Sequence, residues 1–411
     1  MISISLSPNV QKDDIILALR NLCTPWAWTR GMEEKLLEEE FARRFGYAGA
    51  SSFNSGRSAL MAILHALNLQ KGDEVLVQAF TCNAVPNPVR WAGCVPVYVD
   101  CQDDWNMSAE DLERKITKKS RVVIVQHTFG APARIEEICA IARAHGLLVL
   151  EDCAHALGAR YKGRPVGTFG DAALFSFSRD KSVSCVYGGM AASRDTSIVQ
   201  KIKEYRQGTP YPSFLWTLQQ LCHPIIISLI VLPTYPWLGK YILVLLQHLG
   251  ILSKAVHRTE KQGGRPPYFP RRLPNALCNL ARNQLAKLEI FNAHRTMLAT
   301  LYREELKNTS YMVPNVAADT APAWLRFPLR HPKAHDIIRR MWKRNLLIGD
   351  WYTSPIAPAD TNASLLKYAR GLCPQAELLS ATTLNLPTHI NMSKERAMET
   401  VTNLKDCLRD T

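Results

Sequence analysis

The sequence lacks paired cysteines, a leader-like start and any single hydrophobic run long enough to cross a bilayer. Its eleven cysteines are an odd number, are scattered and form no CxxC pair. This pattern argues against a disulfide framework and against a zinc site. The first residues, MISISLSPNVQKDDIIL, contain no basic stretch followed by a long apolar core, so we expect no signal peptide. Together these absences predict a cytoplasmic protein with reduced thiols and no bound metal.

Acidic residues are also in short supply. The chain has 50 lysines and arginines against 36 aspartates and glutamates, which gives a net charge of +14. Such a surplus suits a phosphorylated substrate, an anionic membrane or a nucleic acid. The basic residues lie throughout the chain and form no arginine-rich arm or nucleic-acid motif, so we expect no nucleic-acid partner. With 411 residues, of which 47% are hydrophobic, the chain can build about two or three globular domains.

One stretch, from Leu147 to Ser193, carries the residues that suggest chemistry. LLVLEDC is typical of a buried parallel strand that ends at Asp152, and DAALFSF is typical of a second strand that ends at Ser176, with Lys181 soon after. Ligands gather at the carboxyl ends of strands in open α/β sheets. A buried lysine can form a Schiff base, and a carboxylate can keep the ring nitrogen of pyridoxal phosphate (PLP) protonated. Each residue alone is ordinary, but their joint placement indicates a PLP site.

The segments around this stretch alternate between strand and helix patterns. DEVLVQAF, VPVYVD, RVVIVQH and LLVLEDC have the composition of buried strands, and helical patterns such as IEEICAIARAHG separate them. This alternation predicts a mostly parallel sheet that is covered by helices on both faces. Farther along, RRLPNALCNLARNQLAKLEIF predicts one long helix after Arg272. APAWLRFPLR then predicts a strand and AHDIIRRMWKRN a helix, so we expect a smaller α+β domain at the C-terminus.

FNSGRSALMAILHAL predicts a turn and then a helix that begins near Ser55 and Gly56. The free N–H groups of a first helical turn can bind a phosphate. A start of this kind is nevertheless more often a simple cap. Arg57 either adds a charge-assisted bond to the phosphate or turns into solvent.

The chain resembles the DegT/StrS sugar aminotransferases, which are PLP enzymes of fold type I that aminate keto-sugars attached to nucleotides. The matching text is FNSGRSAL, KGDEVLVQAFT, GCVPVYVD, EDCAHALGARYKGRPVGTFGDAALFSFSRDK and GGMAAS. The resemblance implies that Lys181 bonds to the cofactor, Asp152 pairs with its ring nitrogen and Ser176 touches its phosphate. His155 would approach its phenolic oxygen. It further implies glutamate as amino donor, a keto-sugar as acceptor and a homodimer.

Two positions depart from the family pattern. Cys82 stands in the loop AFTCNAV, where relatives commonly place an aromatic that stacks on the cofactor ring. Either Phe80 or Phe129 replaces that aromatic, or the ring sits less snugly. Pro270 stands where relatives commonly supply an asparagine to the neighbouring subunit's cofactor phosphate. These departures leave a second hypothesis, a non-catalytic membrane-associated protein that keeps the fold, although the presence of Lys181 favours the enzyme.

Residues 205–267 form an apolar insertion that the family pattern does not predict. Its two apolar runs, Ile225 to Leu232 and Tyr241 to Leu246, have prolines between and around them, and neither run spans a bilayer alone. One hypothesis is a helical hairpin that enters one leaflet at the cytoplasmic face of the membrane, which would make a lipid-linked keto-sugar as plausible as a nucleotide-linked one. The interfacial aromatic residues would be Trp216, Trp237 and Tyr241, and the residues facing lipid phosphates would be Lys254, His257, Arg258, Lys261 and Arg265. The other hypothesis is an apolar hairpin at a subunit interface.

The predicted organisation therefore has three parts. Residues 1–204 form the large PLP-binding domain, residues 205–267 the insertion, and residues 268–411 the long helix with the small C-terminal domain. The flanking aromatic and basic residues slightly favour the membrane hypothesis for the insertion.

The assignment of Lys181 predicts the spectrum of the purified protein. Lys181→Ala should abolish the visible absorbance of lysine-bound PLP, and with it the covalent trapping of the cofactor by borohydride, because alanine offers no amine. Lys162→Ala, which removes another lysine of the same motif, is the control and should retain both signals. An unchanged spectrum in Lys181→Ala would disprove the assignment.

Overall fold

The computed structural model describes residues 2–409, and its centre is a seven-stranded sheet. The strands are β1 (Gly49–Phe53), β2 (Glu74–Gln78), β3 (Val95–Val99), β4 (Ser120–Gln126), β5 (Leu148–Asp152), β6 (Ala172–Ser176) and β7 (Gly189–Ser193). Their order across the sheet is β1–β7–β6–β5–β4–β2–β3. Strand β7 runs antiparallel to β1 and β6, and the other neighbouring pairs are parallel. The predicted α/β class with a mostly parallel sheet is confirmed. The first predicted part begins at residue 1 and the third ends at residue 411, and residues 1, 410 and 411 lie outside the described residues.

Helices accompany both faces of this sheet. They are α1 (Lys12–Leu22), α2 (Met32–Phe45), α3 (Gly56–Ala66), α4 (Pro86–Trp91), α5 (Ala109–Lys115), α6 (Ile135–Ala144) and α7 (Thr196–Gln207). Strand β4 shows why both faces need a cover. Val122 and Ile124 belong to the core on the side of α3, whereas Val123 and Val125 belong to the core on the side of α6. Because successive side chains of a strand point to opposite faces, its continuous apolar run buries both.

The insertion is helical. Its backbone is helical throughout Phe214–His248, a stretch of 35 residues that contains an 18-residue window with a mean hydropathy of 1.6 and that by length and composition could cross a membrane. The stretch contains two regular helices, α8 (Phe214–Ile226) and α9 (Lys240–His248), with wider helical turns, Pro233 and Pro236 between them. Pro224 lies within α8. None of the three prolines ends the helical backbone, although Pro233 and Pro236 lie where the chain bends.

The two helices form a hairpin rather than one rod. Gln219 Nε2 donates to the Gly250 carbonyl at 2.5 Å, and Ser253 Oγ donates to Gln220 Oε1 at 2.8 Å. A straight helix would separate residues 219 and 250 by roughly 46 Å. The bend is tight enough to require Gly239, because a Cβ there would collide with a carbonyl oxygen of the preceding arm.

Some side chains that we expected at a lipid surface are engaged elsewhere. Trp216 is only partly exposed, and its ring packs edge to face on Tyr187 with the ring centres 5.5 Å apart. Lys261 pairs with Asp360 at 2.6 Å, and His257 caps a short helix that follows the hairpin. The expectation for these three residues is therefore corrected, because contacts within the protein occupy them. The remaining members of the set, Trp237, Tyr241, Lys254, Arg258 and Arg265, are exposed.

The C-terminal part begins with two helices where the pattern predicted one. Helix α10 (Asn275–Leu285) and helix α11 (Leu288–Leu306) are separated by Ala286 and Lys287. Between them Lys287 leaves the helical conformation and pairs with Asp14 of α1 at 3.0 Å. The smaller domain then contains antiparallel strands β8 (Arg326–Arg330) and β9 (Thr383–Pro387) with helices α12 (Ala334–Lys343), α13 (Pro374–Thr382) and α14 (Lys394–Arg409).

Gly189 at the start of β7 fixes the distance between the sheet and α3. A Cβ on Gly189 would lie 2.5 Å from the Gly56 nitrogen and from the Ser55 carbonyl group. We therefore expect Gly189→Ala to destabilise the protein by about 1–3 kcal/mol through overpacking, measured as a lower thermal midpoint. Gly208→Ala is the control, because its Cβ would meet the nearest atom at an ordinary 3.7 Å. Equal midpoints for the two variants would contradict the close approach.

Candidate active site

The ends of β5 and β6 bring the predicted acid and amine to one place. The strands are adjacent and parallel, with Asp152 of β5 paired with Leu174 of β6. Lys181 follows β6 in the turn that leads back to β7, and its ammonium lies 4.5 Å from the centre of the Trp351 ring. The charges of Lys181 and Asp152 act on each other. The sheet order therefore produces the convergence that the sequence pattern predicted.

Burial changes the protonation of Lys181. It lowers the pKa of the amine below its ordinary value, and the nearby guanidinium of Arg326 lowers that pKa further. Asp180 and Asp152 act in the opposite direction without cancelling the effect. A lysine with a lowered pKa holds more of the neutral amine at a given pH, and the neutral amine is the nucleophile.

Asp152 is a buried carboxylate, and the groups around it only partly offset the cost of burying its charge. Its Oδ1 accepts a bond from the Ala154 N–H at 2.9 Å. Burial nevertheless raises the pKa of Asp152, although this bond and the charge of Lys181 oppose the shift. A protonated ring nitrogen of PLP would place a positive charge beside Asp152 and would stabilise the charged form of the carboxylate. The surroundings of Asp152 therefore fit the pyridine ring of PLP.

Its neighbour Glu151 points to the other side of β5 and has a structural role. Its carboxylate accepts from the N–H groups of Gly167, Phe169 and Gly170 at 2.6, 2.7 and 2.8 Å. His127 Nε2 also bonds to it at 3.1 Å. Glu151, His127 and Cys153 hold potential ligand atoms within 4.8 Å of one another, but hydrogen bonds already occupy the carboxylate. The arrangement is a clamp that fixes the end of β5.

His155 is held as a neutral imidazole. Its Nδ1 accepts from the Phe129 N–H at 3.2 Å, so the network places the proton on Nε2, which faces the Tyr352 hydroxyl at 3.3 Å. Burial lowers the pKa of His155 well below its ordinary value. The ring is also nearly parallel to Trp351, with centres 5.1 Å apart. His155 can therefore donate one directed hydrogen bond without carrying charge.

The start of α3 lies against the end of β6. A Cβ built on Gly56 would lie 3.3 Å from the Ser176 Cβ and 3.6 Å from its Oγ. Ser55 caps the helix, since its Oγ accepts from the Ser58 N–H at 3.1 Å. The N–H groups of Gly56 and Arg57 donate to no residue within the described part of the chain. Two free amides beside a serine hydroxyl fit a phosphate group.

The side chain of Arg57 does not join this cradle. Its guanidinium pairs with the buried Glu260 at 2.6 Å, donates to the Ala255 carbonyl at 3.1 Å and lies 5.3 Å from the centre of the Phe269 ring. Neither of the two positions that we predicted, at the phosphate or in solvent, is observed. Arg57 instead fastens the end of the insertion to α3.

Cys82 is half-buried and protonated. Burial raises the pKa of its thiol, and the Sγ donates to Asn83 Oδ1 at 3.6 Å. Of the aromatic residues considered as substitutes for a stacking ring, Phe80 and Phe129 lie within the core and pack edge to face with centres 6.1 Å apart. Trp351 is the aromatic residue that meets both Lys181 and His155.

Two residues of the small domain, Arg326 and Trp351, are functional candidates that the sequence pattern did not predict. Arg326 of β8 is 1% exposed, and its guanidinium lies 3.4 Å from the centre of the Trp351 ring. It donates to Asn385 at 3.3 Å and approaches Asp180 at 3.5 Å, while its Nε has no acceptor among residues 2–409. The available signal was an arginine inside an otherwise apolar strand, WLRFPL. A buried guanidinium with a spare donor next to Lys181 can bind an anionic group of a substrate.

The sheet order and the chemistry at its strand ends are those of the fold type I PLP-dependent transferases. The chain belongs to the DegT/DnrJ/EryC1/StrS aminotransferase family, whose model matches residues 9–226 and 228–405. The resemblance drawn from the sequence motifs is thereby confirmed, as is PLP as the cofactor of the family.

Individual relatives agree with this placement. The chain is 35% identical over 186 residues to GDP-perosamine synthase of Escherichia coli O157:H7, covering 45% of this chain and 51% of that protein. It is 36% identical over 197 residues to UDP-N-acetyl-3-dehydro-alpha-D-glucosamine 3-aminotransferase of Acidithiobacillus ferrooxidans, covering 47% and 53%. The matched segments thus span about half the length of these relatives. DesV of S. venezuelae, solved in complex with a ketimine intermediate, is 25% identical with a TM-score of 0.74 and coverage of 96% and 94%.

The position of Arg326 predicts how PLP loading depends on pH. Because the cation of Arg326 helps to lower the pKa of Lys181, Arg326→Gln should raise that pKa and leave less neutral amine at any given pH. The midpoint for borohydride-trappable loading of the cofactor-free protein should therefore move to higher pH. Arg326→Lys keeps the charge and should preserve more of the original midpoint. An identical midpoint in parent and Arg326→Gln would refute this coupling.

Proposed function

We propose that this protein is a PLP-dependent aminotransferase that moves an amino group from glutamate to a keto-sugar, in the synthesis of a cell-surface glycan or a secondary metabolite. The observation that carries the proposal is the partly buried Lys181, whose charge interacts with that of Asp152, in a chain of the sugar aminotransferase family. Of the two similar enzymes, one is named after a GDP-linked sugar and the other after a UDP-linked sugar. A nucleotide-linked keto-sugar is therefore the first choice of acceptor, and a lipid-linked one is the second.

The residues present suit each part of the cofactor. Asp152 would hold the ring nitrogen protonated, and His155 would donate its Nε2 proton toward the phenolic oxygen. Ser176 and the free amides of Gly56 and Arg57 would hold the phosphate. Bound PLP supplies an electron sink next to the substrate amine.

Lys181 would then act as the mobile base. Its lowered pKa leaves part of the amine neutral, so it can take up a proton and return it at a neighbouring atom. Arg326 offers its unpartnered Nε to an anionic group, such as a carboxylate of the amino donor. Trp351 places its ring face 4.5 Å from the lysine ammonium and would limit the access of water to it.

The rival proposal is a protein that has kept the fold and lost turnover. Cys82 and Pro270 favour it, because each replaces a residue that relatives commonly use at the cofactor. The electrostatic coupling of Lys181 and Asp152 favours the enzyme, since a scaffold has no need of a buried amine beside a buried carboxylate.

We also propose a homodimer with active sites near the subunit boundary, as the family pattern implies. Sedimentation of the detergent-free protein at micromolar concentration tests the dimer, and a fully active monomer would rule it out.

Asp152→Asn tests the role of the carboxylate. The amide cannot hold the ring nitrogen protonated, so the variant should retain PLP but react with glutamate about a hundredfold more slowly, the scale of a lost contribution to proton transfer. The rate is read from the change in cofactor absorbance after glutamate is added. Asp195→Asn is the control, because this exposed residue caps α7 and asparagine caps equally well. Parent-like rates in Asp152→Asn would mean that another group controls the ring.

The acceptor needs a separate measurement. Protein that has reacted with glutamate and has been freed of excess donor is mixed with GDP-linked or UDP-linked keto-sugars, and the products are analysed by mass spectrometry. Conversion of a keto-sugar to the amino-sugar, with loss in Lys181→Ala, supports the proposal. A rapid glutamate reaction without transfer to any nucleotide-linked keto-sugar would instead direct the search to lipid-linked acceptors.

A further inference from the structure

We propose that the outer face of the helical hairpin binds the surface of an anionic lipid bilayer and lies flat in one leaflet. The hairpin comprises residues 214–252, and its outer face consists of the exposed side chains that point away from the body of the protein. This inference goes beyond the aminotransferase activity, because binding to lipid requires no turnover.

The outer face is apolar and exposed. Trp237 at the bend is 76% exposed, and Val244 in α9 is 65% exposed. The further apolar residues of this face are Leu229, Ile230, Leu238, Tyr241, Leu245 and Leu249, which are 46–62% exposed. Isolated exposed apolar residues are ordinary, but eight of them between residues 229 and 249 mark an interaction site.

The opposite side of the hairpin is already used. Ile242, Leu243 and Leu246 of α9 pack inward on the buried Ile227 and Val231. Helix α8 in turn packs on α1. The hairpin therefore lies along the body of the protein, and these contacts leave its outer face uncovered.

Charge favours lipid over a second copy of the chain. No acidic residue occurs between Glu204 and Glu260, whereas Lys240, Lys254 and Arg258 are exposed. In a two-fold symmetric dimer through this face, each of these cations would be repeated on the partner, whose copy of the same segment supplies no acid to compensate it. An anionic leaflet instead attracts them and accepts the apolar side chains directly.

The dimensions indicate a shallow position. Helix α9 has nine residues, which corresponds to roughly 14 Å, about half of the ~30 Å hydrocarbon core. Trp237 and Tyr241 have the amphipathic rings that settle at the boundary between headgroups and acyl chains. The hairpin would thus rest at this boundary and hold the catalytic domain against the membrane surface.

Flotation with vesicles tests the proposal on the full-length protein. The parent should float with vesicles that contain phosphatidylserine and much less with vesicles of phosphatidylcholine alone. Leu238→Glu/Val244→Glu should bind at least 100-fold more weakly, because the added carboxylates would enter an apolar, anionic boundary. Ile290→Glu/Leu378→Glu, with 66% and 47% exposed side chains in α11 and α13, is the matched control and should float like the parent.

A second variant keeps the apolar face intact. Lys240→Gln/Lys254→Gln/Arg258→Gln should lose about fivefold in affinity for each cation, or about 100-fold together, on anionic vesicles. Circular dichroism and the rate of the glutamate reaction report folding and activity for every variant. These readouts should not change, so a failure of membrane binding is separable from a failure of the proposed enzyme activity.

Fluorescence and sedimentation distinguish lipid from a subunit interface. Acyl chains carrying bromine should quench part of the tryptophan emission of the parent, and Trp237→Phe should remove that part of the quenching. The Leu238→Glu/Val244→Glu variant should keep the assembly state of the parent. The proposal is overturned if the parent does not float, if this variant floats equally well, or if it dissociates a parent dimer, since the last result would make the face a subunit interface.

Discussion

The buried carboxylate of Glu151 is the constraint on which the rest of the active site depends. It accepts hydrogen bonds from three consecutive or nearly consecutive backbone N–H groups in the segment before β6 and from His127 after β4. A buried charge is tolerated only when its bonds are satisfied. The segment before β6 and the end of β5 are thereby fixed to each other, and Asp152, the next residue, is presented on the opposite side of the strand.

The site built on this clamp combines buried charges of both signs. The cations of Lys181 and Arg326 both lie over the ring of Trp351. Asp180 and Asp152 lie close enough to raise the pKa of the Lys181 amine. Desolvation lowers the pKa of Lys181, and the second cation increases that effect. The unpartnered Nε of Arg326 leaves the site ready for an anionic group. The pair of cations thus has two roles. Lys181 supplies a nucleophilic amine, and Arg326 supplies a binding point for an anion.

The insertion is tied to this site at its end. Arg57, at the start of the helix that would hold the cofactor phosphate, pairs with the buried Glu260 just beyond the hairpin. The Tyr187 hydroxyl, in the turn after Lys181, bonds to the Lys254 carbonyl. Contacts of this kind fix the orientation of the hairpin relative to the catalytic residues. A hairpin seated on a membrane would therefore set the orientation of the active site with respect to that surface.

The sequence by itself determined the sheet and the residues at its strand ends. Strand periodicity and the rule that parallel strands present their carboxyl ends together are local and topological constraints, so the positions of Asp152, Ser176 and Lys181 follow from the sequence. Tertiary structure alone decided the partners of Arg57, the arrival of Arg326 and Trp351 from the small domain, and the break between α10 and α11. Each of these depends on segments far apart in the chain, and their side chains choose partners according to packing and desolvation that no local pattern encodes.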